Sequence, residues 1–400
     1  MPLNIAVFSD SYRPYSSGVV RSIDLFTKQL VEQGHHVYVF APKYSKEEGD
    51  VLALEDSNDG PATRVFRFYS VSAPSLRDFR LPVPVSPVIY RVINALGIDV
   101  IHSHTPFLMG SLADGVSKRC RLPLVFTHHT MYHEYAHYWP GATSVLRRFI
   151  VSWLAHYCRK CDLVITPTQS VKDVIMPLYH LTKEPVVIPT GIELGLFAEG
   201  DGTKFRRENG IGSDEIILTY VGRIAEEKSP AFLLDVLSQV RQRFPAKLLY
   251  VGGGPLLEYL KYKVKELGLQ DAVLFTGQRP FEEVVDAFLA GDIFVFPSRT
   301  ETQGLVTLEA MAAGLPVVGI NAPGTKDLVT HGVEGFLTDY NVVDFSTAVC
   351  RLIEDPTLRA DLSKNALLKS QRLSSVETTN MLLAQYRRLV MNNRMLPRRV

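Results

Sequence analysis

Cysteine is scarce: four residues (Cys120, Cys158, Cys161 and Cys350) in a chain of 400. They make no disulfide framework, and their scarcity fits a reducing compartment. Cys158-Arg-Lys-Cys161 has CxxC spacing, but no second CxxC accompanies it and it follows an apolar helical stripe. Chance spacing is therefore favoured over metal or redox chemistry. No run approaches the roughly 18 to 20 uninterrupted apolar residues of a spanning helix, and the opening MPLNIAVFSD reads as a strand, not a signal peptide. The expected location is cytoplasmic. A formal net charge of +1 excludes a generally basic nucleic-acid binder, so nucleic acid is not an expected partner.

What is present is ordinary globular composition, 46% hydrophobic and 21% charged, at a length too great for one core and comfortable for two. Short β-branched or aromatic runs alternate with helix-period segments, the pattern of a parallel sheet covered on both faces. NIAVFSD, HVYVFAP, DVIHSH, PLVFTHH, DLVITPT and PVVIPTG occupy the first half. After Pro189-Thr190-Gly191 the pattern restarts with EIILTYVGR, KLLYVGGG, AVLFTGQ, DIFVFPS and PVVGINAP. The predicted fold class is α/β: two doubly wound Rossmann-like domains, residues 1–190 and 191–374, with a cleft between them. A last helix over about 375–400, opened by the capping-box spacing Ser374-x-x-Glu377, is expected to pack back on the first domain.

The unusual residue clusters fall at strand ends, where open parallel sheets bind ligands. In Phe296-Pro297-Ser298-Arg299-Thr300-Glu301-Thr302-Gln303-Gly304-Leu305 a strand ends at Pro297 and a helix is predicted from about Gly304 to Ala313, before Gly314 and Pro316. Backbone N–H groups at Gly304 and Leu305 make a phosphate site, and the flanking acids Glu301 and Glu309 could accept hydrogen bonds from sugar hydroxyls. Spacing alone leaves this open against two solvated acids near a helix N-terminus.

In Tyr220-Val221-Gly222-Arg223-Ile224-Ala225-Glu226-Glu227-Lys228-Ser229-Pro230, Ser229 and Pro230 read as N-cap and first helical position. Arg223 and Lys228 suit a diphosphate, or are surface cations. Gly252-Gly253-Gly254 and the pair Gly277 and Gln278 also end strands, where glycine admits the backbone to a base or ribose. The triplet departs from GxGxxG, which disfavours a nicotinamide site. Gly18 ends a long loop after the first strand, as a ligand contact or a simple turn residue. His102, His104, His128, His129, His133 and His137 account for more than half of the eleven histidines. Zinc ligation and satisfied core or loop histidines are the alternatives.

Glu301 and Glu309, with seven residues between them and the run EAMAAGLPVV, which begins at Glu309, following the first acid, resemble the E-x7-E signature of retaining glycosyltransferases of family 4. The resemblance extends over most of the chain. It implies a two-Rossmann (GT-B) enzyme that transfers a hexose with retention and without a protein-held metal. No Asp-x-Asp triplet, the metal motif of the other large transferase fold, occurs. Carried over, Glu301 binds the donor sugar, Glu309 the ribose, and Arg223 with Lys228 the diphosphate. Gly18 faces the donor phosphates, and His129 stands beside the transferred sugar, with His104 a second candidate there. The implied mechanism is front-side attack, in which the departing phosphate oxygen takes the acceptor's proton. No cofactor is implied beyond the donor, for which UDP-glucose is favoured.

His128-His129-Thr130-Met131-Tyr132-His133-Glu134-Tyr135-Ala136-His137-Tyr138, with Glu301-Thr302-Gln303-Gly304, is similar to bacterial transferases that glucosylate diacylglycerol. From Trp139 to Cys161 there is no acid, and Arg147, Arg148, Arg159 and Lys160 flank an apolar stripe of Val145, Phe149, Ile150, Trp153, Leu154 and Tyr157. Such a helix could lie on an anionic membrane, or be a core helix with a basic edge. The expected partners are thus a nucleotide sugar, a lipid acceptor and the inner membrane surface. Phosphatidylinositol, a soluble or glycan acceptor, or a non-catalytic nucleotide-sugar binder are the other readings.

Overall fold

The computed structural model describes residues 1–15, 17–44, 55–57, 60–73, 76–132 and 144–395. His133 and His137 lie outside the described residues. The chain divides into two compact units, Met1–Gly191 with Ser375–Val400, and Ile192–Ser374.

In the first unit the strands are β1 (Asn4–Phe8), β2 (His36–Pro42), β3 (Glu55–Ser57), β4 (Arg64–Phe68), β5 (Ser70–Ala73), β6 (Leu76–Pro82), β7 (Val100–Ser103), β8 (Leu124–Thr127), β9 (Leu163–Thr166) and β10 (Val186–Val187). Its helices are α1 (Gly18–Glu32), α2 (Ile89–Ala95), α3 (Leu108–Cys120), α4 (Ser144–Lys160) and α5 (Gln169–Leu178). Eight strands form one sheet in the order β10-β9-β8-β7-β1-β2-β4-β3, parallel except for the β3–β4 pair. Beside it, β5 and β6 make an antiparallel pair. Ile5, Val7, Val37, Val39 and Val100 point to one buried face and Ala6, Phe8, Phe40 and Ile101 to the other, the period-2 consequence of helices on both sides.

The second unit holds β11 (Ile217–Val221), β12 (Lys247–Val251), β13 (Val273–Gly277), β14 (Ile293–Phe296), β15 (Val317–Ile320) and β16 (Gly335–Thr338). They form a wholly parallel sheet, β13-β12-β11-β14-β15-β16. Around it lie α6 (Leu194–Glu199), α7 (Gly202–Glu208), α8 (Phe232–Val240), α9 (Leu257–Glu266), α10 (Phe281–Leu289), α11 (Leu305–Ala312), α12 (Thr325–Leu328), α13 (Val342–Glu354) and α14 (Pro356–Arg372). The chain then returns to the first unit as α15 (Ser375–Met395), which packs along α1. Leu382, Leu383, Tyr386 and Val390 are the buried face of α15, whereas Met381 points out.

Two local readings are corrected. Ser229 is not an N-cap: Glu226–Lys228 form a single 3-10 turn, Ser229 follows it at φ +51°, and α8 starts only at Phe232. The stripe on α4 is two-sided. Leu154 and Tyr157 are buried, while Val145, Phe149 and Trp153, spaced by four, are 69%, 63% and 39% exposed along one line. Arg147, Arg148, Arg159 and Lys160 are exposed as well.

Candidate active site

In each sheet the strand order reverses direction once, and the loops leaving the two strands at that point diverge to opposite faces, opening a crevice at their carboxyl ends. In the second unit the reversal lies between β11 and β14. β11 runs into the loop bearing Arg223 and Lys228, and β14 into the loop bearing Glu301 and Gly304. The two loops are tied together. Thr300 Oγ1 donates to the Glu227 carbonyl at 3.2 Å, and Lys228 Nζ lies 2.5 Å from Glu301 Oε1. The same carboxylate oxygen accepts from the Oγ of fully buried Ser298 at 3.0 Å. Arg223 reaches into solvent, with Nη1 3.7 Å from Glu227 Oε1, too long for a hydrogen bond.

Gly304 caps α11 at φ +73°, a conformation that strains any side chain. A Cβ at Gly324 would fall 2.4 Å from Glu301 Cβ, so glycine there lets the neighbouring loop close over the Glu301 loop. Thr307 and Leu308 N–H bond back to the Gly304 carbonyl, which leaves Leu305 and Val306 heading the helix. Beneath this end the buried hydroxyls of Thr307 and Thr325 have no hydrogen-bond partner among the described residues. Buried polar atoms without partners are uncommon in folded proteins. Glu309, the fifth residue of α11, is buried.

Two glycines of the triplet are demanded by packing against the neighbouring loop. A Cβ at Gly252 would meet the Gly222 carbonyl oxygen at 2.1 Å, and one at Gly254 the Ile224 carbonyl oxygen at 2.3 Å. Both glycines admit the neighbouring Arg223 loop. Gly277 has φ +71° and its carbonyl accepts from Gly252 N–H at 2.9 Å. Exposed Gln278 lies against Gly253, where a Cβ would come 3.1 Å from its Cγ.

In the first unit the reversal lies between β1 and β7. Asp10, just beyond β1, is buried, and its Oδ1 accepts the Met109 N–H at 2.7 Å, which pins the start of α3. Burial pushes its carboxyl up from 3.8 to about 6. Gly18 is the first residue of α1, after Ser17, whose Oγ accepts Val20 N–H at 3.3 Å. A Cβ there would meet nothing within 4 Å, so packing does not demand glycine.

His104 ends the β7 side and His129 the β8 side, with His104 Nδ1 2.8 Å from His129 Nε2. His102 Nδ1 meets Tyr386 Oη at 2.5 Å, His102 Nε2 meets Thr127 Oγ1 at 2.7 Å, and His128 Nε2 meets Tyr179 Oη at 3.0 Å. Desolvation lowers His102 and His129 to about 3 and His104 well below the ordinary imidazole range. All three rings are neutral near pH 7. Among the described residues no group of three His, Cys, Asp or Glu side chains is arranged to hold a metal. Burial also pushes the Cys158 thiol up to about 12 and Cys161 well above its usual value, and Cys161 Sγ donates to the Tyr157 carbonyl at 3.3 Å. These are protonated core cysteines.

Sequence reasoning singled out neither Ser298 nor Asp10. Their signal, a small polar residue immediately after a strand, is shared by too many turns to stand alone.

Two doubly wound parallel-sheet units, each with polar side chains gathered at its strand-order reversal, are the architecture of the GT-B glycosyltransferases. A Glycosyltransferase Family 4 model matches residues 16–196, and a model for group 1 glycosyl transferases matches residues 201–369. The chain belongs to glycosyltransferase family 4. It is 30% identical to the alpha-monoglucosyldiacylglycerol synthase of Streptococcus pneumoniae over 94% of this chain and 83% of the relative. Identity is also 30% with the synthase of that name from Acholeplasma laidlawii, over 92% and 93%. Anabaena HepE, solved with UDP and also with UDP-glucose, superimposes with a TM-score of 0.75 for the UDP complex. At 22% identity over 96% of this chain and all of that one, HepE speaks to the fold.

Proposed function

We propose that this glycosyltransferase moves glucose, with retention and without a metal, from UDP-glucose to 1,2-diacylglycerol at an anionic membrane surface. The observation that carries the membrane docking is the exposed line Val145, Phe149 and Trp153 on α4, with exposed Arg148 three residues from Val145 and Lys160 seven from Trp153 on the same side of the helix. An apolar line with cations beside it is poorly placed in water and well placed in a headgroup layer. No helix among the described residues is long and apolar enough to cross a membrane, and surface docking needs none. The names of the two synthases support a diacylglycerol acceptor, and the HepE complexes support a uridine nucleotide donor.

On this reading Lys228, Arg223 and the head of α11 at Gly304 and Leu305 take the diphosphate, Glu301 the sugar, Glu309 the ribose, and Gly277 and Gln278 border the base. Gly18 meets the phosphates and His129 the transferred sugar. The departing phosphate oxygen accepts the acceptor's proton, and the cations hold the charge that develops on it.

The test is transfer of radiolabelled sugar from UDP-glucose, with and without chelator, to diacylglycerol in anionic and neutral vesicles. Labelled lipid formed faster on anionic vesicles, with an α-anomeric product and no effect of chelator, is expected. Label appearing only on a water-soluble acceptor would defeat the lipid assignment.

A further inference from the structure

Three imidazoles gather at the carboxyl ends of β7 and β8, His102 tilted 35° against His104, and His104 edge to edge with His129. His102 is held at both nitrogens, by Tyr386 of α15 and by Thr127 at the end of β8. Its ring centroid is 4.2 Å from that of His104, and the His104 ring lies 5.0 Å from His129 and 17° from parallel to it. A neutral imidazole carries one N–H and one lone pair. The contact between His104 Nδ1 and His129 Nε2 therefore uses the N–H of one ring and the lone pair of the other. What the pair has left is again one N–H and one lone pair, divided between His104 Nε2 and His129 Nδ1. Two imidazolium rings could not make this contact, because both facing nitrogens would be donors.

We propose that His104 is a positioning residue for transfer: hydrogen-bonded to His129 Nε2 and backed by the locked ring of His102, it fixes the ring plane of His129 and reserves His129 Nδ1 for the substrate. The proposal rests on the reading that puts His129 beside the transferred sugar. Without a partner at Nε2, the half-buried His129 ring has a broad χ2 well and a free choice of tautomer. Misplacement of a contacting group by about 1 Å costs on the order of a hundredfold in rate. His102 contributes through its fixity. With Tyr386 and Thr127 on its two nitrogens it cannot turn, and so forms a flat wall behind His104.

The test uses the full chain with H104A, H104N and H129A, each checked by thermal melting and by UDP affinity. An Asn side chain places a hydrogen-bonding group near the position of Nδ1, and Ala does not. H104A is expected to lower kcat about tenfold to about a hundredfold with UDP affinity unchanged. H104N should recover most of that loss. Imidazole 15N spectra should show one neutral tautomer for His129 in the wild type and in H104N, and tautomer exchange in H104A. Wild-type kcat in H104A overturns the proposal. So does a mixture of tautomers, or a cationic ring, for His129 in the wild-type protein near pH 7, a measurement that needs no variant to fold. H129A separates the two levels: wild-type turnover in H129A removes His129 from the site altogether, whereas a slow H129A beside a fast H104A defeats the positioning role alone.

Discussion

Lys228 Nζ lies 2.5 Å from Glu301 Oε1, so a cation and a carboxylate from two strand-end loops 73 residues apart already satisfy each other. Removing either partner changes the charge that meets a diphosphate. Lys228→Ala loses a charge-assisted bond worth about 1.5 to 3 kcal/mol and leaves a partly buried carboxylate beside the phosphates. UDP affinity should fall about tenfold to about a hundredfold by calorimetry. Glu301→Ala should hold UDP at least as tightly as the wild type yet lose turnover. Equal loss of UDP affinity in both variants would show that the acid supports nucleotide binding and not the sugar.

Glu309→Ala should weaken UDP and UDP-glucose by the same factor, because a ribose contact is common to both. Its melting temperature needs checking beside the affinity, since Glu309 is buried in the middle of α11. A variant that loses UDP-glucose and keeps UDP would move Glu309 to the sugar.

Val145→Ser with Phe149→Ser removes two exposed apolar side chains, and surface changes of this type alter stability by only about 0.5 kcal/mol. Sedimentation with anionic vesicles should drop while UDP affinity stays constant. Arg147→Glu with Arg148→Glu should abolish the preference for anionic over neutral lipid, each Arg near such a surface contributing about 1 kcal/mol. Undiminished vesicle binding in both double variants would show that α4 is not the docking face.

Asp10 has a folded-state pKa raised from 3.8 to about 6. Between those values the unfolded chain has released a proton that the folded chain keeps, so this group's stabilising effect is complete below the lower value and is lost as pH rises through about 6. The difference of about 2 units corresponds to about 3 kcal/mol. Asp10→Asn retains an oxygen for the Met109 N–H without a charge. Its melting temperature relative to the wild type should therefore climb between about pH 4 and pH 7. A constant difference across that range would mean that Asp10 is ionised throughout.

The fold was legible wherever burial on both faces of a parallel sheet demanded an unbroken β-branched or aromatic run, as in ILTYV, IFVF and LVIT. β4 (Arg64–Phe68) and β16 (Gly335–Thr338) carry a weaker signal, because RVFRF is interrupted by charge and GFLT is short and begins with glycine. On α4 helical periodicity marked a stripe and could not say that it was two, since residues on opposite faces of one helix can both be apolar. Among the site residues, Glu301 and Glu309 stand out because their spacing lies within one strand, loop and helix. Asp10 and Ser298 do not, because what distinguishes them is burial against a partner distant in sequence or a turn geometry shared by many loops.

By itself the sequence determined a strand–helix alternation that restarts near residue 190, and the E-x7-E run that places two acids about a strand-end helix start. Local chemistry decides these matters: side-chain period selects strand or helix, and glycine supplies the φ +73° that heads α11. Tertiary structure alone decided that Lys228 faces Glu301, that Gly252 and Gly254 serve the Arg223 loop, and that His104 meets His129 with Tyr386 behind His102. Each of these pairs elements that only strand order brings together. Hydrogen bonds and close contacts act over a few ångströms, whereas the chain between such partners runs for 25 to 284 residues.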